Sequence, residues 1–102
     1  MKYGLEDNII EKINNVFAKY EKIDKVLLFG SRSKNTFHKD SDIDLAIFGK
    51  GINDLILEKI RENLNSLNLD YEIDVNLFEN ITNEIVKQHI LERNVVFYIK
   101  LK

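Results

Sequence analysis

Residues 25–48 of the chain read KVLLFGSRSKNTFHKDSDIDLAIF, and this stretch decides the fold. Two apolar runs, Lys25–Phe29 and Ile43–Phe48, are typical of buried strands, and the first run stops at Gly30. Between the two runs, residues 31–37 predict a short helix and residues 39–41 predict a polar turn. The stretch therefore predicts a strand, a glycine turn, a short helix and a second strand that begins among acidic residues.

The segments on both sides of this stretch continue the alternation of helices and strands. Apolar residues recur at helical spacing in residues 5–20 and again after Asn53, a suitable N-cap, which predicts two amphipathic helices. Residues 71–78 predict a third strand.

The last quarter of the sequence predicts one more helix and one more strand. Asn80 is a candidate N-cap for this helix, and Asn94 is a candidate for a left-handed turn at its end. Val95–Ile99 predicts the final strand. The order α-β-α-β-α-β-α-β predicts an α/β fold, a mixed sheet of about four strands flanked by helices. A length of 102 residues predicts a single domain over residues 1–102.

Composition excludes several classes of function. The net charge is −2, from 15 basic and 17 acidic residues, so a general nucleic-acid binder with a basic surface is not expected. There is no cysteine, which excludes disulfides and thiolate metal sites. No apolar run approaches the roughly 20 residues that cross a bilayer, and residues 1–15 lack the apolar core of a signal peptide. We expect a cytoplasmic protein that does not bind membranes.

Three acidic residues are the candidates for a metal site. Asp42 and Asp44 are two residues apart at the start of a predicted strand, so their side chains point to the same face. Asp74 lies inside the third predicted strand, and it joins the pair if the two strands are neighbours. Carboxylate oxygens suit Mg²⁺, with Mn²⁺ as the alternative. Taken alone, an Asp-x-Asp pair is common at turns, and Asp74 alone would be an ordinary surface acid.

The glycine turn is a candidate anion site. Gly30 permits close approach of the backbone, the Ser31 hydroxyl can donate to a phosphate oxygen, and Arg32 and Lys34 bring positive charge. An ordinary strand-ending turn with an N-cap would have the same local sequence.

Residues 30–34, GSRSK, and residues 40–45, DSDIDL, together resemble the signature of the nucleotidyltransferase superfamily related to DNA polymerase beta. The short chain resembles the minimal nucleotidyltransferase (MNT) branch of that superfamily. Residues 71–78 resemble the strand that bears its third acid, and residues 83–98 resemble its closing helix and tail.

This resemblance implies roles for particular residues. Asp42 and Asp44 would bind two metal ions, and Asp74 would complete the catalytic metal site and help to activate the acceptor hydroxyl. Gly30 and Ser31 would contact the triphosphate of ATP.

Arg32 and Asn35 also lie in or beside the glycine turn. Arg32 is a further candidate for a phosphate contact, or it pairs with a surface acid. Many relatives carry glycine at the position of Asn35, and asparagine tolerates the left-handed backbone that such a turn requires.

The resemblance also implies a biological role. Members of this branch are often encoded beside a HEPN toxin and act as its antitoxin, and some transfer AMP from ATP to a tyrosine hydroxyl of the toxin. Two alternatives remain open: an antitoxin that neutralises its partner by binding alone, and a nucleotidyltransferase for a small molecule or an RNA end.

Overall fold

A computed structural model describes residues 2–101 of the chain. The helices and strands follow one another in the order that the sequence predicts, and no helix of residues 2–101 has the length and apolar character to cross a bilayer. They are α1 (Asp7–Phe17), β1 (Lys25–Phe29), β2 (Ile43–Phe48), α2 (Asp54–Asn65), β3 (Ile73–Leu77), α3 (Glu84–Glu92) and β4 (Val95–Ile99), with short 3-10 helices at Ser31–Lys34 and Phe78–Asn80.

The four strands form one mixed sheet in the order β3-β2-β1-β4. Strand β1 is antiparallel to both β2 and β4, whereas β2 and β3 are parallel and are joined by the crossover helix α2. The predicted fold class is confirmed.

The two faces of the sheet are packed differently. Alternate residues of β2, from Ile43 to Ile47, enter the main core together with α1 and α2. The opposite face has a smaller buried cluster, Leu27, Ala46 and Ile90, in which Ile90 comes from α3. Helix α3 therefore covers only part of this second face, and Asp44 lies on the same face because it alternates with the core residues.

The first predicted helix is shorter than the sequence indicates. Residues 5–20 predict a helix, but α1 spans only Asp7–Phe17. Lys2 and Leu5 pair with each other in a short bridge before it, and a turn at residues 18–19 follows it. The predicted helix at residues 31–37 is likewise a single 3-10 turn, Ser31–Lys34, which ends where Asn35 adopts a left-handed backbone with φ 60°. The left-handed turn predicted for Asn35 is confirmed.

The predicted caps of the last helix were wrong in position. Asn83, not Asn80, caps α3, and its Oδ1 accepts from the backbone N–H groups of Ile85 and Val86 at 2.9 and 3.2 Å. Asn94 is not left-handed: its side-chain Nδ2 donates to the carbonyl oxygens of Ile90 and Leu91, which closes the helix by a side chain instead of a backbone turn.

Candidate active site

Asp44 and Asp74 lie opposite each other in the sheet. The parallel pairing of β2 with β3 aligns Asp44 with Asp74, one step after it aligns Ile43 with Ile73. Neighbouring strands lie about 4.8 Å apart, and aligned residues project from the same face. The register therefore brings two carboxylates from separate strands together at the start of both strands.

Asp42 adds a third negative charge just before β2 begins. Burial raises the pKa of Asp44 above its ordinary value, and the negative charges of Asp74 and Asp42 raise it further. Burial and the two neighbouring charges all disfavour the charged form of Asp44. A cation bound beside the carboxylate would favour that charged form. The structure thus places Asp44 within electrostatic range of the two other acids that the sequence singles out.

Gly30 approaches Asp44 more closely than any other residue type could. Its backbone has φ 77° and ψ −157°, in a region that is essentially restricted to glycine. A Cβ atom at Gly30 would lie only 2.5 Å from Oδ2 of Asp44. The glycine turn and the acidic cluster are therefore parts of one site.

Side-chain and backbone hydrogen bonds hold the 3-10 helix after Gly30. The Ser33 hydroxyl donates to the carbonyl oxygen of Gly30 at 2.7 Å. The backbone N–H of Thr36 donates to the carbonyl oxygen of Ser31 at 3.2 Å. The Ser31 side chain is half-buried, and its hydroxyl has no hydrogen-bond partner within residues 2–101. Ser31 therefore has a free donor beside the acidic cluster.

The donor set fits a hard divalent cation that a substrate helps to hold. Asp42 and Asp74 are exposed and Asp44 is half-buried. In the described part of the chain, no group of three or more acidic or histidine side chains is arranged so that it could hold a metal ion by itself. Mg²⁺ usually binds through one or two carboxylates, with waters and substrate phosphates as the remaining ligands. An open group of carboxylates beside a glycine turn suits that mode of binding.

Arg32 does not face this site. Its side chain is 1% exposed, and its guanidinium donates to the carbonyl oxygens of Tyr3, Lys39 and Ser41. Within residues 2–101, no carboxylate lies within salt-bridge range of it. Neither the phosphate contact nor the surface ion pair predicted for Arg32 agrees with this position, because its donors are already bonded to the backbone in the interior.

Asn76 is a site residue that the sequence reasoning missed. Its Nδ2 donates to Oδ1 of Asp74 at 3.2 Å, and its own Oδ1 accepts from Nη2 of Arg61 at 3.0 Å. Arg61 also donates to the carbonyl oxygen of Val75, so it is fixed on α2 against β3. The spacing was a usable signal, because a residue two positions after Asp74 in a strand shares its face.

An acidic group on a small mixed sheet, in contact with a glycine turn, is the arrangement that the sequence resemblance implies. Residues 11–102 match the family described as "Polymerase beta, Nucleotidyltransferase". Because this match covers most of the sequence, the chain belongs to that family. The resemblance identified from residues 30–34 and 40–45 is confirmed.

Solved structures with the same fold include toxin–antitoxin complexes. One is a toxin–antitoxin with AMP-PNP, at TM-score 0.70 and 23% identity over 94% of this chain and 75% of that chain. Another is the tri-AMPylated Shewanella oneidensis HEPN toxin in complex with MNT antitoxin, at TM-score 0.68 and 17% identity over 94% and 74%. A third is described as a minimal nucleotidyltransferase, at TM-score 0.67 and 19% identity over 93% and 95%. No curated protein matches the chain.

Proposed function

We propose that the protein transfers AMP from ATP, with Mg²⁺ or Mn²⁺ as cofactor, to a tyrosine hydroxyl of a HEPN toxin and so acts as its antitoxin. The observation that carries this proposal is the register that aligns Asp44 with Asp74 while Gly30 contacts Asp44. Membership of the nucleotidyltransferase family supports the reaction type. The toxin–antitoxin complexes of the same fold support the kind of partner.

The residues that would hold the metal are Asp42, Asp44 and Asp74. A bound divalent ion supplies charge neutralisation at the phosphates and lowers the pKa of a hydroxyl that binds it. Asp44 is half-buried against Gly30, whereas the carboxylates of Asp42 and Asp74 are exposed and accessible to a substrate.

The reaction that we propose is a displacement at the α-phosphorus of ATP. The tyrosine oxygen forms a bond to that phosphorus, the bond to the bridging oxygen breaks, and pyrophosphate leaves with the electron pair. Asp74 accepts the proton of the tyrosine hydroxyl. Gly30 and Ser31 contact the triphosphate, because the turn offers a close backbone and a free hydroxyl beside Asp44.

The exposure of the site supports a protein acceptor. Asp42 and Asp74 are exposed, and α3 covers the sheet at Leu27 and Ala46, away from the acids. A tyrosine on the surface of another protein can therefore reach the acids without any opening of the fold.

Intact-mass spectrometry tests this function directly. The protein is incubated with the product of the adjacent open reading frame, ATP and Mg²⁺. We expect the partner to gain one or more adenylyl groups with the wild-type protein and none with Asp44→Ala. Asp24→Ala is the matched control, because Asp24 is an exposed acid next to the first residue of β1, at the opposite end of the strand from Gly30. This control should retain full transfer.

Two results would contradict the proposal. If the partner gains no adenylyl group with the wild-type protein, the enzymatic role fails. If Asp44→Ala still protects cells that express the partner, neutralisation occurs by binding alone. Radiolabelled ATP added to a lysate would reveal a small-molecule or RNA acceptor.

A further inference from the structure

The guanidinium of Arg32 joins segments that are far apart in the sequence. It donates to the carbonyl oxygen of Tyr3 at 2.9 Å, and its Nη2 and Nε donate to that of Ser41 at 2.9 and 3.1 Å. A fourth bond, 3.3 Å long, goes to the carbonyl oxygen of Lys39. The N-terminal turn and the loop before β2 are therefore bound to one side chain.

Two aromatic rings complete the surroundings of this guanidinium. The Cζ atom of Arg32 lies 5.4 Å from the ring centroid of Phe37 and 5.1 Å from that of Tyr71. Both distances are within the range of cation–π attraction, which strengthens when the cation is removed from water. With 1% exposure, Arg32 has carbonyl oxygens and ring faces in place of solvent.

The position of these contacts relates Arg32 to the acidic site. Ser41 immediately precedes Asp42, and the N–H of Ile43, just after Asp42, donates to the carbonyl oxygen of Glu72 at 2.8 Å. The backbone on both sides of Asp42 is thus fixed, on one side by Arg32. The same arginine lies two residues after Gly30.

We propose that Arg32 is a positioning residue that fixes the loop of Lys39–Ser41 and so aims Asp42 toward the divalent ion. This inference rests on the proposed function, because it assigns Arg32 a task in the metal site of that reaction. Arg32 acts through Asp42 and does not itself contact the nucleotide. A lysine cannot replace it, since an ammonium group lacks the planar fork that bonds three carbonyl oxygens at once.

Binding of Mn²⁺ in the absence of ATP and partner tests the inference, with Mn²⁺ followed by electron paramagnetic resonance. We expect Arg32→Lys to weaken Mn²⁺ binding about 10–100-fold, as is typical when a residue that orients a metal ligand is lost. Hydrogen exchange at the amides of Asp42 and Ile43 should accelerate in the folded variant. In the transfer reaction, kcat should fall and more Mg²⁺ should be required, while KM for the partner stays near the wild-type value.

A destabilised variant of the remote core separates positioning from general loss of stability. Phe17 is buried, and its ring lies 5.8 Å from the ring of Tyr98. Tyr98 pairs in the sheet with Val26, which lies near the start of β1 and away from Gly30. Phe17→Leu should lower the melting temperature and leave Mn²⁺ affinity unchanged.

The inference is overturned if Arg32→Lys lowers only the melting temperature and binds Mn²⁺ as the wild type does, or if the wild-type protein binds no Mn²⁺. It is also overturned if Phe17→Leu weakens Mn²⁺ binding as much. If wild-type protein binds Mn²⁺ in an Arg32-dependent manner but transfers no AMP, the inference stands and the proposed function fails.

Discussion

The two faces of strand β2 differ in the helices that cover them. On one face, Ile43, Leu45 and Ile47 are fully buried or 1% exposed and pack against α1 and α2. On the other face, Ala46 is buried by α3, but Asp44 lies beyond the part that this helix covers. One face of β2 therefore packs in the core, and the other face carries the candidate site residue Asp44.

This difference shows how a small sheet can hold charged groups together without unfolding. The apolar face fixes the position of the strand, and with it the register that aligns Asp44 with Asp74. The mutual repulsion of the carboxylates is then opposed by the packing of the other face. Substitutions on the two faces should consequently have separable effects on activity and on stability.

The largest effect is expected on the open face, from Asp74→Asn. Removal of the carboxylate that accepts the hydroxyl proton should lower the rate of AMP transfer about 10²–10⁴-fold. The melting temperature should change little because Asp74 is exposed. Transfer kinetics and thermal unfolding of the same preparation measure both quantities. Activity close to the wild-type value would remove Asp74 from the site.

On the buried face, Leu45→Ala should produce the opposite pattern. Loss of this fully buried side chain should lower the free energy of unfolding by about 2–5 kcal/mol. Urea unfolding measures this value, and the volume-conserving Leu45→Met is the control, with an expected cost below about 1.5 kcal/mol. The folded fraction should still transfer AMP. A large loss of activity without a loss of stability would show that the two faces are not separable.

Gly30→Ala should affect both quantities at once, because Gly30 contacts the acids. The backbone conformation should cost about 1–3 kcal/mol of stability for any residue with a Cβ, and the added carbon would displace the carboxylate of Asp44. Gly51→Ala is the matched control: φ is 76° there too, but the nearest atom to the added carbon is Nζ of Lys22, 3.7 Å away. Only Gly30→Ala should lower AMP transfer beyond its effect on the folded fraction. Equal activity in the two variants would contradict the close contact.

A smaller effect is expected from Asn76→Ala, which removes the hydrogen bond to Asp74. Loss of a group that orients a metal-binding carboxylate should lower transfer about 10–100-fold. Asn65→Ala, at an exposed position of α2, is the control and should transfer AMP normally. If the two variants are equally active, Asp74 does not depend on Asn76 for its orientation.

The smallest effect is expected on the free energy of unfolding of the metal-free protein when Asp44 is replaced by asparagine. The folded protein holds a proton on Asp44 more tightly than the unfolded chain does, because its pKa is raised. The stability that this proton contributes is present below the ordinary aspartate pKa, and it is lost as pH rises through the raised value. In EDTA at neutral pH, Asp44→Asn should therefore unfold at a higher urea concentration than the wild type. This difference in urea midpoint should disappear in acid. An Asp44→Asn variant that is less stable than the wild type at neutral pH would contradict the prediction.

Much of the fold could be predicted from local patterns. The sequence predicted four strands in the order that the structure has. The helix ends were harder to predict, because Asn80 and Asn83 are equally good caps. Only the 3-10 turn at Phe78–Asn80 decides between them.

The sequence was sufficient to choose candidate site residues but not to predict their arrangement. Asp42 and Asp44 share a short stretch, whereas the alignment of Asp44 with Asp74 depends on how α2 carries the chain to β3. Arg32 was misjudged for the same reason. An arginine beside a glycine-serine turn is typical of a phosphate contact, and its burial depends on Tyr3 and Tyr71, which only the tertiary fold brings to it.

The most direct test of the central claim is a crystal structure of the protein with Mn²⁺ and AMP-PNP, measured at the manganese absorption edge. An anomalous peak should lie within coordination distance of the carboxylates of Asp42, Asp44 and Asp74, with the triphosphate against Gly30 and Ser31. Manganese and nucleotide bound elsewhere, with the three carboxylates directed into solvent, would contradict a shared metal site at the start of β2 and β3.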